Sequence, residues 1–259
     1  MFDDATYSKT HQSSRLSDTI LRIPKRKSYY IASSETIADR YVSAFKTDKK
    51  HILNLGYARS DYFYTNHINP LRPLFSGKKA IIYMPTHRKD GRVQLEMSKL
   101  LDLDKIQTIC ERYDCFFVIK KHFLHRKEQE SIDAFSRIID LTPFNYSPQE
   151  VLDAADILIS DYSGAWIDYL LLDRPIVFYS FNLEDYLTND REMYDDYYTI
   201  TPGPVCTNQS ELYKAIEFFI SGEQDDYFAK ERDKIRNYYF SPENQCAVSG
   251  KQIDAILSL

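Results

Sequence analysis

Five short apolar runs recur between residues 80 and 179: AIIYM (80–84), CFFVI (115–119), RIID (137–140), DILIS (156–160) and PIVFY (175–179). Each ends in a polar loop, and their β-branched and aromatic content marks them as strands. Between them, stretches such as QLEMSKLLDLDKIQTICERY (94–113) and SPQEVLDAA (147–155) carry apolar residues at helical spacing. Strands alternating with helices predict a parallel sheet, and nearly unbroken apolar strands predict burial on both faces. The expectation is an α/β fold with one complete doubly wound domain over residues 71–259, in which the helical segments after residue 208 close the domain. Residues 1–70 read as a strand, a Ser-rich turn, a helix and a further strand, the remnant of an N-terminal α/β domain.

In such sheets ligands lie outside the carboxyl ends of the strands. The residues there are PTHR (85–88), KKHFLH (120–125), LTPF (141–144), DYSG (161–164) and SFNLEDY (180–186). Ser163 suits an N-cap, and Gly164 behind it leaves the first backbone N–H groups of the next helix open to phosphate. Asp168, one turn on, has the reach to meet a hydroxyl of a sugar or a polyol. Arg88 can fork onto a diphosphate, and His122 can donate to a phosphate or act as an acid. A plain capped helix, a solvated arginine and a structural histidine account for the same residues one at a time, so each signal alone leaves both readings open.

Composition narrows the classes. The chain of 259 residues has a net charge of −5, with 43% hydrophobic and 27% charged residues, which suits a globular protein and argues against a nucleic-acid partner. Its 21 Tyr and 15 Phe fit aromatic packing or carbohydrate-like ligands. Residues 1–50 are nevertheless basic, ten Lys/Arg against six Asp/Glu, and RIPKRK (22–27) offers peripheral contact with anionic lipid or acceptor or is a solvated loop. The start lacks an apolar leader and no run approaches a membrane span, which predicts a cytoplasmic protein. Cys110, Cys115, Cys206 and Cys246 have no paired spacing, so neither a zinc site nor a disulfide framework is expected. Asp195 and Asp196 in MYDDYYTITPGPV (193–205) stand without a further acidic cluster and read as an ordered loop rather than a metal site. No cofactor is expected.

PTHR, KKH, ADILISDYSGAWIDYLLLDRPIVFY and MYDDYYTITPGPV, in this order, resemble the CDP-glycerol glycerophosphotransferase family of teichoic acid polymerases over about residues 35–220. The resemblance implies a GT-B arrangement whose C-terminal domain holds a CDP-polyol donor. It implies transfer of glycerol phosphate, or a related polyol phosphate, from CDP-glycerol to a hydroxyl of a cell-surface polymer or lipid-linked acceptor, with release of CMP. By position it gives Arg88 and His122 to the diphosphate as catalytic groups. Thr86, Ser160, Asp161, Ser163, Gly164 and Asp168 then line the donor. GYARSD (56–61) stands where the family shows G-x-P-R-N-D, and PENQCAVSG (242–250) departs from its late segment. The family's N-terminal His-Gly-Thr motif lies before the point that corresponds to Met1, and His11 stands in another context. That leaves three readings: a transferase, alone or with a separately encoded N-terminal half; a donor-binding remnant without catalysis; or a nucleotide-sugar glycosyltransferase of the same architecture.

Overall fold

The computed structural model of the chain describes residues 28–86, 96–122, 132, 134–190, 193–223 and 225–259. Arg88, His87, His125, His11 and the basic segment 22–27 fall outside them. By contacts the described residues form two compact units, a smaller one from 28–65, 182–200 and 234–259 and a larger one from 66–181 and 201–233. Segments 182–200 and 234–259, which sequence placed in the 71–259 domain, are thus grouped with the N-terminal residues.

In the smaller unit β1 (Tyr30–Ala32) and β2 (Ile52–Asn54) pair in parallel. The Ser-rich turn after β1 starts the helix Glu35–Ala44, because the Ser34 hydroxyl accepts the Ile37 N–H at 3.3 Å. Ser33 and Ser34 also donate their hydroxyls to the carbonyls of Tyr239 and Tyr238, at 2.7 and 2.8 Å. The GYARSD and PENQCAVSG segments meet here. Asp61 accepts the N–H groups of Val248 and Ser249 at 2.9 and 2.8 Å, capping the C-terminal helix Val248–Leu257 from a distant part of the chain. Burial alone would raise the Asp61 pKa, but hydrogen bonds from Ser249 and Val248 outweigh it and hold the carboxyl below its ordinary range. Gly56, at φ +79°, is required, since a Cβ there would run into the Asn244 carbonyl.

The larger unit is built on six parallel strands: β3 (Lys79–Tyr83), β4 (Cys115–Ile119), β5 (Ile138–Asp140), β6 (Ile157–Ser160), β7 (Ile176–Tyr179) and β8 (Val205–Cys206). Their order is β5-β4-β3-β6-β7-β8, the order of dinucleotide-binding sheets. Five match the predicted runs within a residue or two. The sixth, β8, is only two residues long and follows the Pro-Gly-Pro turn. There Gly203 passes so close to the Ile176 carbonyl that no side chain fits.

Strand alternation divides the core. Ile81, Tyr83, Phe117, Ile119, Ile157, Ile159, Val177 and Tyr179 form one cluster with the helices Leu103–Arg112 and Gln209–Ser221. The opposite parity points the other way, where Phe178 meets Trp166 edge-on at 5.4 Å. The helix expected over 94–113 is broken into Met97–Leu100 and Leu103–Arg112. The reason lies at Asp102: its N–H goes to the Tyr213 hydroxyl at 2.8 Å while its carboxylate accepts the Lys105 N–H at 3.0 Å, restarting the helix.

Candidate functional site

The chain enters the larger sheet at its centre, runs outward through β4 and β5, and returns to the other side of β3 as β6. The strand order therefore reverses between β3 and β6, and the crevice beyond their carboxyl ends is where such sheets bind ligands. Thr86 follows β3 and Asp161 follows β6, and the fold brings these two together. The Asp161 carboxylate is 1% exposed. It accepts the Thr86 N–H on both oxygens at 3.0 and 2.9 Å, the Thr86 hydroxyl at 2.5 Å and the Ser163 N–H at 3.0 Å. Sequence assigned both residues to the donor; in the structure the Asp161 carboxylate accepts from Thr86 and from Ser163. They hold the two loops of the crevice in one geometry.

This tie also moves the cap. The residue that caps the short helix Ala165–Tyr169 is Gly164, not Ser163. With its N–H drawn to Asp161, Ser163 sits one position earlier and its hydroxyl accepts the Ala165 N–H at 3.3 Å. Gly164 has ordinary backbone angles, and a Cβ placed there would meet no described residue within 4 Å. Ser160, last residue of β6, is 0% exposed, and its hydroxyl has no partner among the described residues. A buried hydroxyl left unpaired costs free energy. Asp168 is buried, with the Gln149 amide donating to it at 3.4 Å.

At the end of β4 the three polar residues separate by role. Lys120 donates its ammonium to the carbonyls of Leu141 and Phe144 at 3.0 and 2.7 Å, pinning the loop after β5. Lys121 is 2% exposed, and its N–H donates to the Thr142 hydroxyl at 3.1 Å. His122 alone of the three is exposed. The sequence reading singled out His122 and passed over Lys121, whose burial no local pattern announces. Arg88 lies outside the described residues.

The acidic loop turns out to be held by a cation. In the smaller unit Asp195 pairs with Arg40 at 2.5 Å and accepts the Tyr238 hydroxyl at 2.8 Å, and the Arg40 guanidinium lies against the rings of Tyr194 and Tyr238 at 5.5 and 5.1 Å. Among the described residues no group of three or more His, Cys, Asp or Glu side chains is arranged to hold a metal, and no helix is long and apolar enough to cross a membrane.

A family model described as CDP-glycerol:poly(glycerophosphate) glycerophosphotransferase matches residues 2–256. The chain belongs to this family. It is 31% identical to the teichoic acid ribitol-phosphate primase of Bacillus spizizenii over 207 residues, 76% of this chain and 52% of that protein. With the teichoic acid glycerol-phosphate primase of Bacillus subtilis it shares 30% identity over 194 residues, 73% of this chain and 49% of that one. The chain thus spans about half the length of these two curated relatives. A solved structure of the wall teichoic acid polymerase TagF superposes with a TM-score of 0.77 at 25% identity, covering 94% of this chain and 61% of that chain. The family's fold is GT-B-like α/β, with a parallel-sheet unit and an N-terminal portion.

Proposed function

We propose that the chain binds a CDP-activated polyol at the carboxyl edge of the larger sheet and transfers the polyol phosphate to a hydroxyl of a polymer or lipid-linked acceptor. The acceptor oxygen attacks the phosphorus that carries the polyol, the bond to the bridging oxygen breaks, CMP leaves, and the acceptor proton passes to a base. Such a reaction depends mainly on positioning and on neutralising phosphate charge. In this reading Arg88 and His122 face the diphosphate and supply that charge. Ser160, Ser163 and the Gly164 amide approach a phosphate, Asp168 meets the polyol, and Thr86 with Asp161 keeps the crevice in shape.

The observation that carries the reading is the Ser160 hydroxyl, buried without a partner among the described residues at the point where the strand order reverses, in a chain whose family model is that of a glycerophosphotransferase. Both ribitol-phosphate and glycerol-phosphate primases are among the relatives, so either polyol is a candidate donor. In the same reading residues 28–65 belong to the acceptor side, and the reaction takes place in the cytoplasm at the inner face of the membrane.

Calorimetry with CDP-glycerol, CDP-ribitol and a UDP-sugar tests the donor, and CMP release with a lipid-linked primer tests transfer. Binding of a CDP-polyol, weakened at least tenfold by Arg88→Ala or His122→Ala without loss of fold, is the expected result. A protein that takes the UDP-sugar and ignores both CDP-polyols overturns the reading. CDP-polyol binding without CMP release would favour a donor-binding subunit.

A further inference from the structure

The four cysteines are free thiols of different kinds. Cys246 is exposed, and Cys206 is buried, its thiol pushed up to about 12 by that burial. Cys110 and Cys115 stand together. Cys110 lies in the last turn of the helix Leu103–Arg112, Cys115 opens β4, and only residues 111–114 separate them. Asp114, at φ +49°, turns the chain in the left-handed region that Asp tolerates better than most residues. Strand and helix therefore lie against each other, and both thiols, 0% exposed, enter the same apolar cluster.

Within that cluster the Cys110 S–H donates to the Cys115 sulfur. The bond holds the Cys115 thiol below its ordinary range against the cost of burial, and the Arg137 guanidinium adds to it. The same bond, together with burial, pushes Cys110 up. One sulfur is thus readied as a nucleophile, with a proton donor beside it, whereas a purely structural buried cysteine is inert. The corner between them is the way in. Asp114 is at the surface, where its carboxylate pairs with Lys78 and, at 2.8 Å, with Arg137. Surface pairs are weak ties, so this turn opens to a small solute more readily than the core behind it.

We infer that Cys110 and Cys115 are a modification site, which forms a reversible disulfide with a peroxide as oxidant when the corner at Asp114 opens. The Cys115 thiolate attacks one oxygen of hydrogen peroxide, the O–O bond breaks, and the departing hydroxide takes the proton that the thiol released and leaves as water. The Cys110 thiol then attacks the sulfenic sulfur, the S–O bond breaks, and its proton leaves with the oxygen as a second water. Two thiols give up two electrons and the peroxide takes them. The pair lies at the amino end of β4, away from the crevice at the carboxyl ends, and its test involves no nucleotide.

The reduced full chain is treated with hydrogen peroxide, alkylated in denaturant and cut with trypsin, which cleaves after Arg112, between the two cysteines. The expected product is peptide 106–112 joined to peptide 113–120, lighter than the two by a pair of hydrogens and at least fivefold more abundant than any link to Cys206 or Cys246. Dithiothreitol reverses it. In Cys110→Ala the sulfenic acid persists, so dimedone labels Cys115 at least fivefold above the parent, while Cys110 in Cys115→Ala stays unlabelled. Asp114→Asn, which weakens both surface pairs, speeds the linkage at least threefold. Alkylation of both cysteines to the level of the untreated chain while Cys246 oxidises, a link to Cys206 or Cys246 in its place, or an unchanged rate in Asp114→Asn overturns the inference.

Discussion

Replacing Asp161 by Asn separates a group that holds the crevice from one that contacts the donor. The carboxylate is almost fully buried and serves three donors, the N–H and hydroxyl of Thr86 and the N–H of Ser163. An amide has the same shape, but one of its ends is itself a donor, so the oxygen that faces the Thr86 N–H at 2.9 Å becomes an NH₂ facing an N–H. The remaining bonds lose their charge assistance. A hydrogen bond to a charged group is worth about 1.5–3 kcal/mol and a neutral one about 0.5–1.5, so the loss is about 1 kcal/mol for each donor. Three donors give about 3 kcal/mol. With a urea slope of about 2 kcal/mol/M, the unfolding midpoint should fall by about 1.5 M at unchanged slope. Thr86→Val, which keeps the N–H and removes the hydroxyl, should cost about a third as much. If the Asp161→Asn midpoint stays within about 0.2 M of the parent while CDP-glycerol affinity collapses, Asp161 is a ligand contact and the assignment of a holding role is wrong.

Three further substitutions test separate steps. Ser160→Ala removes a buried hydroxyl that has no partner among the described residues; stability should hold or rise slightly while CDP-polyol affinity falls about tenfold, some 1.4 kcal/mol, and unchanged affinity would remove Ser160 from the site. Asp61→Asn should cost about 1 kcal/mol at pH 7, as for a lost helix cap. Because the folded carboxyl titrates below its ordinary value, its contribution is present above pH 4 or so and disappears as pH falls through the lower folded value. Far-UV melts of parent and variant should therefore differ at pH 7 and converge in strong acid; a constant difference contradicts the assignment. Gly203→Ala forces a methyl group into the Ile176 carbonyl, and at about 3 kcal/mol it should lower the melting temperature by roughly 6–12 °C; a shift under about 2 °C would mean that the turn yields.

What could be read from sequence was whatever depends on near neighbours. The strands β3, β4, β6 and β7 were legible because their apolar runs are largely buried on both faces, so hydrophobicity and β-branching reinforce each other; β5, buried only at Ile138, was marked by its two isoleucines. β8 was not, since two residues carry no period. That Thr86, Asp161 and Ser163 follow the carboxyl ends of their strands was read from the order of elements, whereas the reversal of strand order between β3 and β6 appears only in the structure. Their division of labour was not legible in that order. That Asp161 spends itself on Thr86, 75 positions away, shifts the cap from Ser163 to Gly164, and a local reading of Asp-Tyr-Ser-Gly has no access to a partner that distant.

The segments 182–200 and 234–259 show the same limit at the scale of the chain. Helical spacing correctly marked the last helices, but spacing says which face is apolar, not what it lies against. Bonds between residues far apart in sequence tie them to residues 28–65: Asp195 to Arg40, Asp61 to the start of the last helix, Ser33 and Ser34 to the carbonyls at 239 and 238. This gives the motifs that resembled a catalytic family two different kinds of work. GYARSD and MYDDYY are engaged in holding the smaller unit together, through Asp61 and Asp195. The Ser160 hydroxyl, which has no partner among the described residues, and the turn at Gly164 belong instead to DYSG and the strand before it. A substitution in the first pair should therefore appear as lost stability before any change in donor affinity, and one at Ser160 in the reverse order. Running calorimetry and urea melts on the same preparations of Asp61→Asn and Ser160→Ala would expose a failure of that order in either direction.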